Sequence, residues 1–206
     1  MRYHHLIFDI DGTLIDTKAM LMAVFSRALK KYYGVVLRQE QFDRTFGLPC
    51  EDAFCQFGLS PTEDCKNAIQ EDIRASLNMS KIFEGVPEVL ASLKAAGMGM
   101  SVVTSKNHRE YENSFVPFGL HKYFSEAICA DDTTRGKPYP DPLLLCLERL
   151  KLSREDVAYI GDTDHDRQCA VAAGVDFYLA AWGGVAPPLK ELQPRFLDVK
   201  DLLQFL

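Results

Sequence analysis

"HLIFDIDGTLID", residues His5–Asp16, is the stretch that decides how the chain is read. Three apolar residues, Leu6 to Phe8, run into Asp9, and a second carboxylate follows two positions later at Asp11. The apolar run reads as a buried strand, and Gly12 with Thr13 supplies a tight turn just beyond it. Two carboxylates held this close repel each other and resist joint ionisation unless a cation, a proton or strong donors stabilise them. A positive partner is therefore expected from elsewhere in the chain.

The chain as a whole sets the bounds. Its 206 residues suffice for one substantial core, or for a domain carrying a smaller one. An apolar content of 47% and a charged content of 25% are those of a globular protein and argue against disorder or a fibrous fold. The formal net charge of −6 argues against nucleic acid or an anionic membrane as the main partner. Cys50, Cys55, Cys65, Cys129, Cys146 and Cys169 are scattered without a C-x-x-C pair, as expected for reduced, buried thiols. With neither a secretory h-region nor an apolar run long enough to span a bilayer, a cytoplasmic location is expected.

Two kinds of territory follow the opening strand. Residues 17–80 are patterned as helices throughout, beginning with "TKAMLMAVFSRALKKYYG", where Thr17 is the N-cap candidate and Gly34 the stop. From Gly85 the texture changes to alternation. Apolar strands "MGMSVVTS", "EAICA", "VAYIGD" and "DFYLAAW" are interleaved with helices, among them Pro87 to Ala96, Arg109 to Phe118 and Asp164 to Ala173. Such alternation predicts an α/β fold, a Rossmann-like parallel sheet core with helices on both faces. The expected core is 1–16 with 81–206, and 17–80 is an inserted all-helical cap domain. The C-terminal "APPLKELQPRFLDVKDLLQFL", residues 186–206, reads as a loop, a short last strand and a closing helix.

In an open parallel sheet, ligands bind beyond the carboxyl ends of the strands. There the sequence delivers Asp9 and Asp11, the hydroxyl pair Thr104 and Ser105, Lys137 in the proline-flanked "RGKPYPDP", and Asp162, Asp164 and Asp166 in "GDTDHD". One lysine against so many carboxylates leaves a surplus of negative charge. A hard divalent cation such as Mg²⁺ would offset it, and a phosphate on the ligand would give Lys137 and Thr104 something to bind. Asp164 is read as a helix cap and His165 as exposed, so neither is taken as a ligand. His4 and His5 point to opposite sides of a strand and are read as structural.

Four motifs in this order, D-x-D-G-T-L-x-D at Asp9 to Asp16, Thr104-Ser105, G-K-P-x-P-D-P around Lys137 and G-D-T-x-x-D at Gly161 to Asp166, resemble the haloacid dehalogenase superfamily. The likeness covers essentially the whole chain and falls in the phosphoglycolate phosphatase and β-phosphoglucomutase branch. It implies a phosphatase acting on a small phosphorylated metabolite, with Asp9 as nucleophile forming an aspartyl-phosphate and Asp11 as general acid and base. Mg²⁺ would be held by Asp9, Asp162 and the Asp11 carbonyl, with Asp166 behind them. Thr104, Ser105 and Lys137 would hold the phosphoryl oxygens.

Dehalogenases and phosphonate hydrolases of the superfamily lack the second carboxylate, so Asp11 favours phosphoester chemistry. A β-phosphoglucomutase-like mutase shares all four motifs but grips its sugar phosphate with basic cap residues, whereas "FGLPCEDAF" has no lysine or arginine between Gly47 and Phe54. That loop looks more like the caps of phosphoglycolate phosphatases and related inorganic pyrophosphatases. Receiver domains also group aspartates with a lysine, but they lack a helical insertion after the first strand. Lys18, Arg44, Glu51 and Asp52 are the residues of the insertion that could face the cleft, with solvated helix surface as their default. A monomer or homodimer fits equally well.

Overall fold

The computed structural model describes residues 2–184 and 194–206. Among these, six parallel strands form one sheet: β1 (His5–Phe8), β4 (Gly99–Val103), β5 (Ala127–Ile128), β6 (Val157–Gly161), β7 (Asp176–Ala180) and β8 (Arg195–Phe196). Their order is β5-β4-β1-β6-β7-β8. β1 lies between β4 and β6, with Phe8 beside both Val102 and Ile160. All four residues of β1 are buried, as a central strand covered on both faces must be.

Successive side chains leave the sheet on opposite faces. Leu6, Phe8, Met100, Val102 and Ile160 pack into one core with α5 (Val86–Ala95) and a closing 3₁₀ run, Val199–Phe205. Ile7, Val103, Val157 and Tyr159 pack into the other with α7 (Asp141–Leu150) and α8 (Asp164–Ala173). A further helix, α6 (His108–Ser114), follows β4. The α/β architecture read from the alternating pattern is present, helices on both faces included. Of the expected C-terminal elements, residues 185–193 lie outside the described residues. The last strand is β8, and the closing helix is of the 3₁₀ kind.

Between β1 and α5 the chain is helical: α1 (Lys18–Tyr33), α2 (Gln39–Thr45), α3 (Cys50–Cys55) and α4 (Glu63–Ala75). These helices have a core of their own, in which Met20, Val24, Leu29, Phe42, Phe54 and Ile69 are all buried. A two-stranded antiparallel ribbon joins them to the sheet, β2 (Ile15–Asp16) against β3 (Lys81–Ile82). α1 stops where expected, at Gly34 with φ 67°. Its start differs from expectation. Thr17 precedes the helix but its side chain makes no capping bond, and its Oγ1 is buried without a partner. With φ −108° and ψ −4°, Thr17 is already near helical geometry, so its hydroxyl does not reach the free amides.

His5 is structural, as read. Its Nε2 lies 3.0 Å from Ser101 Oγ, and burial lowers its pKa from near 6.5 to about 4. The unfolded chain therefore takes up a proton that the folded ring refuses. The stability tied to the neutral ring is complete above about pH 6.5 and is lost as pH falls through about 4, a contribution of ~3 kcal/mol. Because buried carboxylates titrate in the same window with the opposite sign, the effect is read as a difference: between pH 7 and 4 the urea midpoint of the wild type should fall relative to that of His5→Leu.

Candidate active site

The parallel pairing of β1 with β4 and β6 sets three strand ends side by side, and the polar residues follow at each end. The Asp9 amide donates to Ile160 O of β6 at 2.9 Å, and the Thr104 amide donates to Ile128 O of β5 at 3.0 Å. Asp162 follows β6 directly. Lys137 arrives from the loop before α7 and reaches the same place. Its Nζ donates to Asp9 Oδ1 and Asp166 Oδ1, both at 2.6 Å, and to the Tyr159 hydroxyl at 3.2 Å. The three ammonium protons are thereby all used.

The turn after Asp9 is shaped by Gly12, whose φ is +82°. A Cβ there would stand 2.1 Å from Asp162 Oδ2, so the turn and the β6 end fit together only without a side chain. Thr13 Oγ1 donates to Asp162 Oδ1 at 3.2 Å, and Trp182 Nε1 donates to Thr13 O at 3.0 Å, pinning the turn from two sides. Gly12→Ala should cut kcat/KM at least about a hundredfold, because it displaces Asp162 and strains the backbone together. Steady-state kinetics alongside a thermal melt measures both effects.

Burial and crowding dominate the electrostatics. Asp9, Asp162 and Asp166 are all buried. Burial pushes the Asp9 carboxyl up to about 7, with Lys137 pulling it down and Asp166 and Asp11 pushing it further up. Asp162 is driven well above the carboxylate range by burial and by the charges of Asp166 and Asp9. For Asp166 the burial penalty is outweighed by Lys137 and by donors from Thr163 and Tyr159, and its carboxyl sits below its ordinary value.

Asp166 is saturated. Its Oδ1 accepts from Lys137 and Tyr159, and its Oδ2 from the amide and hydroxyl of Thr163. Asp162 has, among the described residues, only the Thr13 hydroxyl as a side-chain donor. Asp9, Asp162 and Asp166 each bring a carboxylate oxygen within 4.8 Å of the others. Hard oxygen donors with under-compensated charge suit a small divalent cation. Asp9 and Asp162 have the capacity to ligate one directly, and Asp166 is placed to brace Lys137 behind them.

Two participants escaped the sequence reading. Lys106, two residues past Thr104, pairs with Asp11 Oδ2 at 2.8 Å, and its side chain is only 7% exposed. Asp11 Oδ1 is buried and has no partner. Tyr159, on β6, donates to Asp166 Oδ1 at 2.7 Å. A lysine next to a hydroxyl motif and a tyrosine inside an apolar strand were the available signals. Thr104 stands at the β4 end with its Oγ1 accepting from the Lys106 amide at 3.2 Å. Ser105 Oγ donates to Gly47 O of the helical segment at 2.7 Å, on the lining of the same cleft.

Other expectations need correction. Thr163, not Asp164, caps α8, and its hydroxyl accepts from the Asp166 amide at 3.2 Å. Asp164 sits one residue inside, where Arg167 and Gln168 donate to it. His165 is half-buried rather than exposed, with its Nε2 3.4 Å from Arg44 O. The cleft directly above Asp9 and Asp11 is not lined by Lys18 or Arg44, whereas Glu51 and Asp52 line an adjoining cleft with Ser105 and Glu110. Lys18 pairs with Asp43 at 3.0 Å, and the other three are exposed.

The family model described as haloacid dehalogenase-like hydrolase matches residues 6–180. The chain belongs to that family. A PpaX protein of Caldanaerobacter subterraneus is 33% identical to this hydrolase over all of the chain and 94% of the relative. "Pyrophosphatase PpaX" of Oceanobacillus iheyensis is 28% identical over 98% of the chain and 96% of the relative. Among solved structures, a Lactobacillus plantarum protein described provisionally as a phosphoglycolate phosphatase superposes with a TM-score of 0.90 at 29% identity, covering the whole of both chains. This haloacid dehalogenase-like hydrolase is therefore similar over its full length to proteins named for phosphate chemistry. Among the described residues no helix is long and apolar enough to cross a membrane.

Proposed function

We propose that this hydrolase is an Mg²⁺-dependent phosphatase that cleaves a small phosphate monoester through an aspartyl-phosphate on Asp9. The observation that carries the reading is the buried triad in which Lys137 bridges Asp9 and Asp166 at 2.6 Å, with Asp162 and Asp11 close by. A dry carboxylate held by a lysine at a strand end is arranged to meet a tetrahedral dianion.

In the first step an Asp9 oxygen attacks phosphorus and the ester P–O bond breaks. The leaving oxygen takes a proton from Asp11, whose unpartnered Oδ1 is the atom free to carry it. In the second step Asp11 takes a proton from water, the oxygen of that water attacks phosphorus, and Asp9 is released with inorganic phosphate. Lys137, the Thr104 hydroxyl and the Ser105 amide neutralise the phosphoryl oxygens as charge spreads over them. Mg²⁺ held by Asp9, Asp162 and the Asp11 carbonyl would offset the carboxylates and polarise the phosphoryl group.

The helical segment acts as a cap that closes over this site, turning on the ribbon at Ile15–Asp16 and Lys81–Ile82. Its closed position is supported by contacts with the core. Ser105 reaches Gly47, Gln70 donates to Glu110 at 2.5 Å, and Arg74 donates to Asn113 at 2.9 Å. Inorganic pyrophosphate is a second reading, favoured by the name of the Oceanobacillus relative.

Purified protein should release p-nitrophenol from p-nitrophenyl phosphate with Mg²⁺ and stop when the metal is chelated. Comparing kcat/KM across phosphorylated metabolites and pyrophosphate then ranks the substrates. A protein that releases nothing in the presence of Mg²⁺ sinks the proposal.

A further inference from the structure

The cleft that opens from Asp9 and Asp11 is narrow in this position of the helical segment, with a volume of about 60 Å³. Its upper wall, contributed by the helical segment, is apolar: Leu21, Phe25, Phe42, Phe46, Leu48 and Ile73. Its charged lining is Asp9, Asp11, Glu110 and a single cation, Lys106. That cation is already committed, since Lys106 Nζ pairs with Asp11 Oδ2 at 2.8 Å. The Asp9 charge is met by Lys137. Glu110 accepts from the Asn107 amide at 2.9 Å and from Gln70, and although burial pushes its carboxyl up, the charge that counters this is the same Lys106, so Asp11 and Glu110 draw on one cation. Basic residues of the helical segment do not help: Lys66 pairs with Glu51 and Glu63, Lys18 with Asp43, and Arg44 is exposed.

We infer that the pocket accepts an uncharged, mainly apolar leaving group, so that the substrates are phosphate monoesters of small apolar alcohols. A leaving group bearing a carboxylate or a second phosphate would bury its charge against leucine and phenylalanine beside Glu110. It would also have to draw Lys106 away from Asp11. An alcohol has neither problem, because the charge that develops on its oxygen is met by the proton from Asp11. The aromatic wall then contributes binding in proportion to the apolar area it covers. Glu110 is the specificity-determining residue, because it keeps the wall beside Lys106 negative.

This inference rests on the phosphatase reading, and the test separates the two. Phosphate release is measured with Mg²⁺ for pentyl phosphate, for the ester of equal length in which a carboxylate replaces the terminal methyl, and for inorganic pyrophosphate. Pentyl phosphate should lead the other two by at least about tenfold in kcat/KM, the scale set by burying one unpaired charge. Glu110→Gln, which keeps the acceptor for the Asn107 amide, should narrow the gap between methyl and carboxylate several-fold. If the carboxylate ester or pyrophosphate is preferred, the inference fails and the phosphatase reading stands. If none of the three is hydrolysed, and p-nitrophenyl phosphate is not either, the reading fails and takes the inference with it.

Discussion

Asp9→Asn should abolish turnover, with kcat down on the order of 10⁴-fold or more, while the melting temperature stays level or rises. The amide keeps the shape of the carboxylate but has no oxygen able to attack phosphorus. The residue is only 3% exposed, and burial pushes its carboxyl up to about 7, so the folded protein holds this charge at a cost. Removing the charge relieves the repulsion from Asp166 and Asp11, whereas Lys137 keeps Asp166 as its partner at 2.6 Å. Loss of activity without loss of stability separates a nucleophile from a structural residue. Acid-quenched wild-type protein should carry a phosphoryl adduct by mass spectrometry, and Asp9→Asn should carry none. A variant that kept several per cent of wild-type turnover would place the nucleophile elsewhere.

The strand-end residues were legible because their signal is local. Asp9, Asp11, Lys137, Asp162 and Asp166 sit in short motifs just past apolar runs, and an open parallel sheet admits one edge for them to meet at. Lys106 was not legible, since a lysine in a loop is solvated by default. What takes it inward is the entry to α6, where Asn107 caps the helix and turns Lys106 back towards Asp11. Tyr159 was hidden by its setting, as a tyrosine inside "VAYIGD" reads as an apolar core residue until Asp166 is found to accept from it at 2.7 Å.

The character of the cleft was also hidden, and for a different reason. Phe42 and Ile73 have helical spacing that marks an inward face, but they serve both the core of the helical segment and the wall above Asp11. Periodicity states that a face is buried and is silent about what lies opposite it. Thr17 shows the converse limit. Residue type announces a cap, but backbone angles decide whether the hydroxyl can make the bond.

Lys137→Met should be the most destabilising single change in the site, because it removes the cation and leaves the carboxylates behind. Lys137 is 2% exposed, its partners Asp9 and Asp166 are 3% and 0%, and both contacts are 2.6 Å. Breaking a buried pair from one side costs ~3–5 kcal/mol, more than forming it contributes, since the orphaned charge has no water to turn to. The loss falls unevenly. Asp166 retains its donors from Thr163 and Tyr159, whereas Asp9 loses the only side-chain donor it has among the described residues. Activity should disappear as well, because an Asp9 without Lys137 favours the protonated form, which does not attack. Mg²⁺ distinguishes this account from simple loss of packing. An ion bound by Asp9 and Asp162 supplies the missing positive charge, so adding it should raise the melting temperature of Lys137→Met by more than it raises that of the wild type. Equal shifts in the two proteins would mean that the lysine and the metal do not act on the same carboxylates, and the electrostatic basis of the site would have to be redrawn.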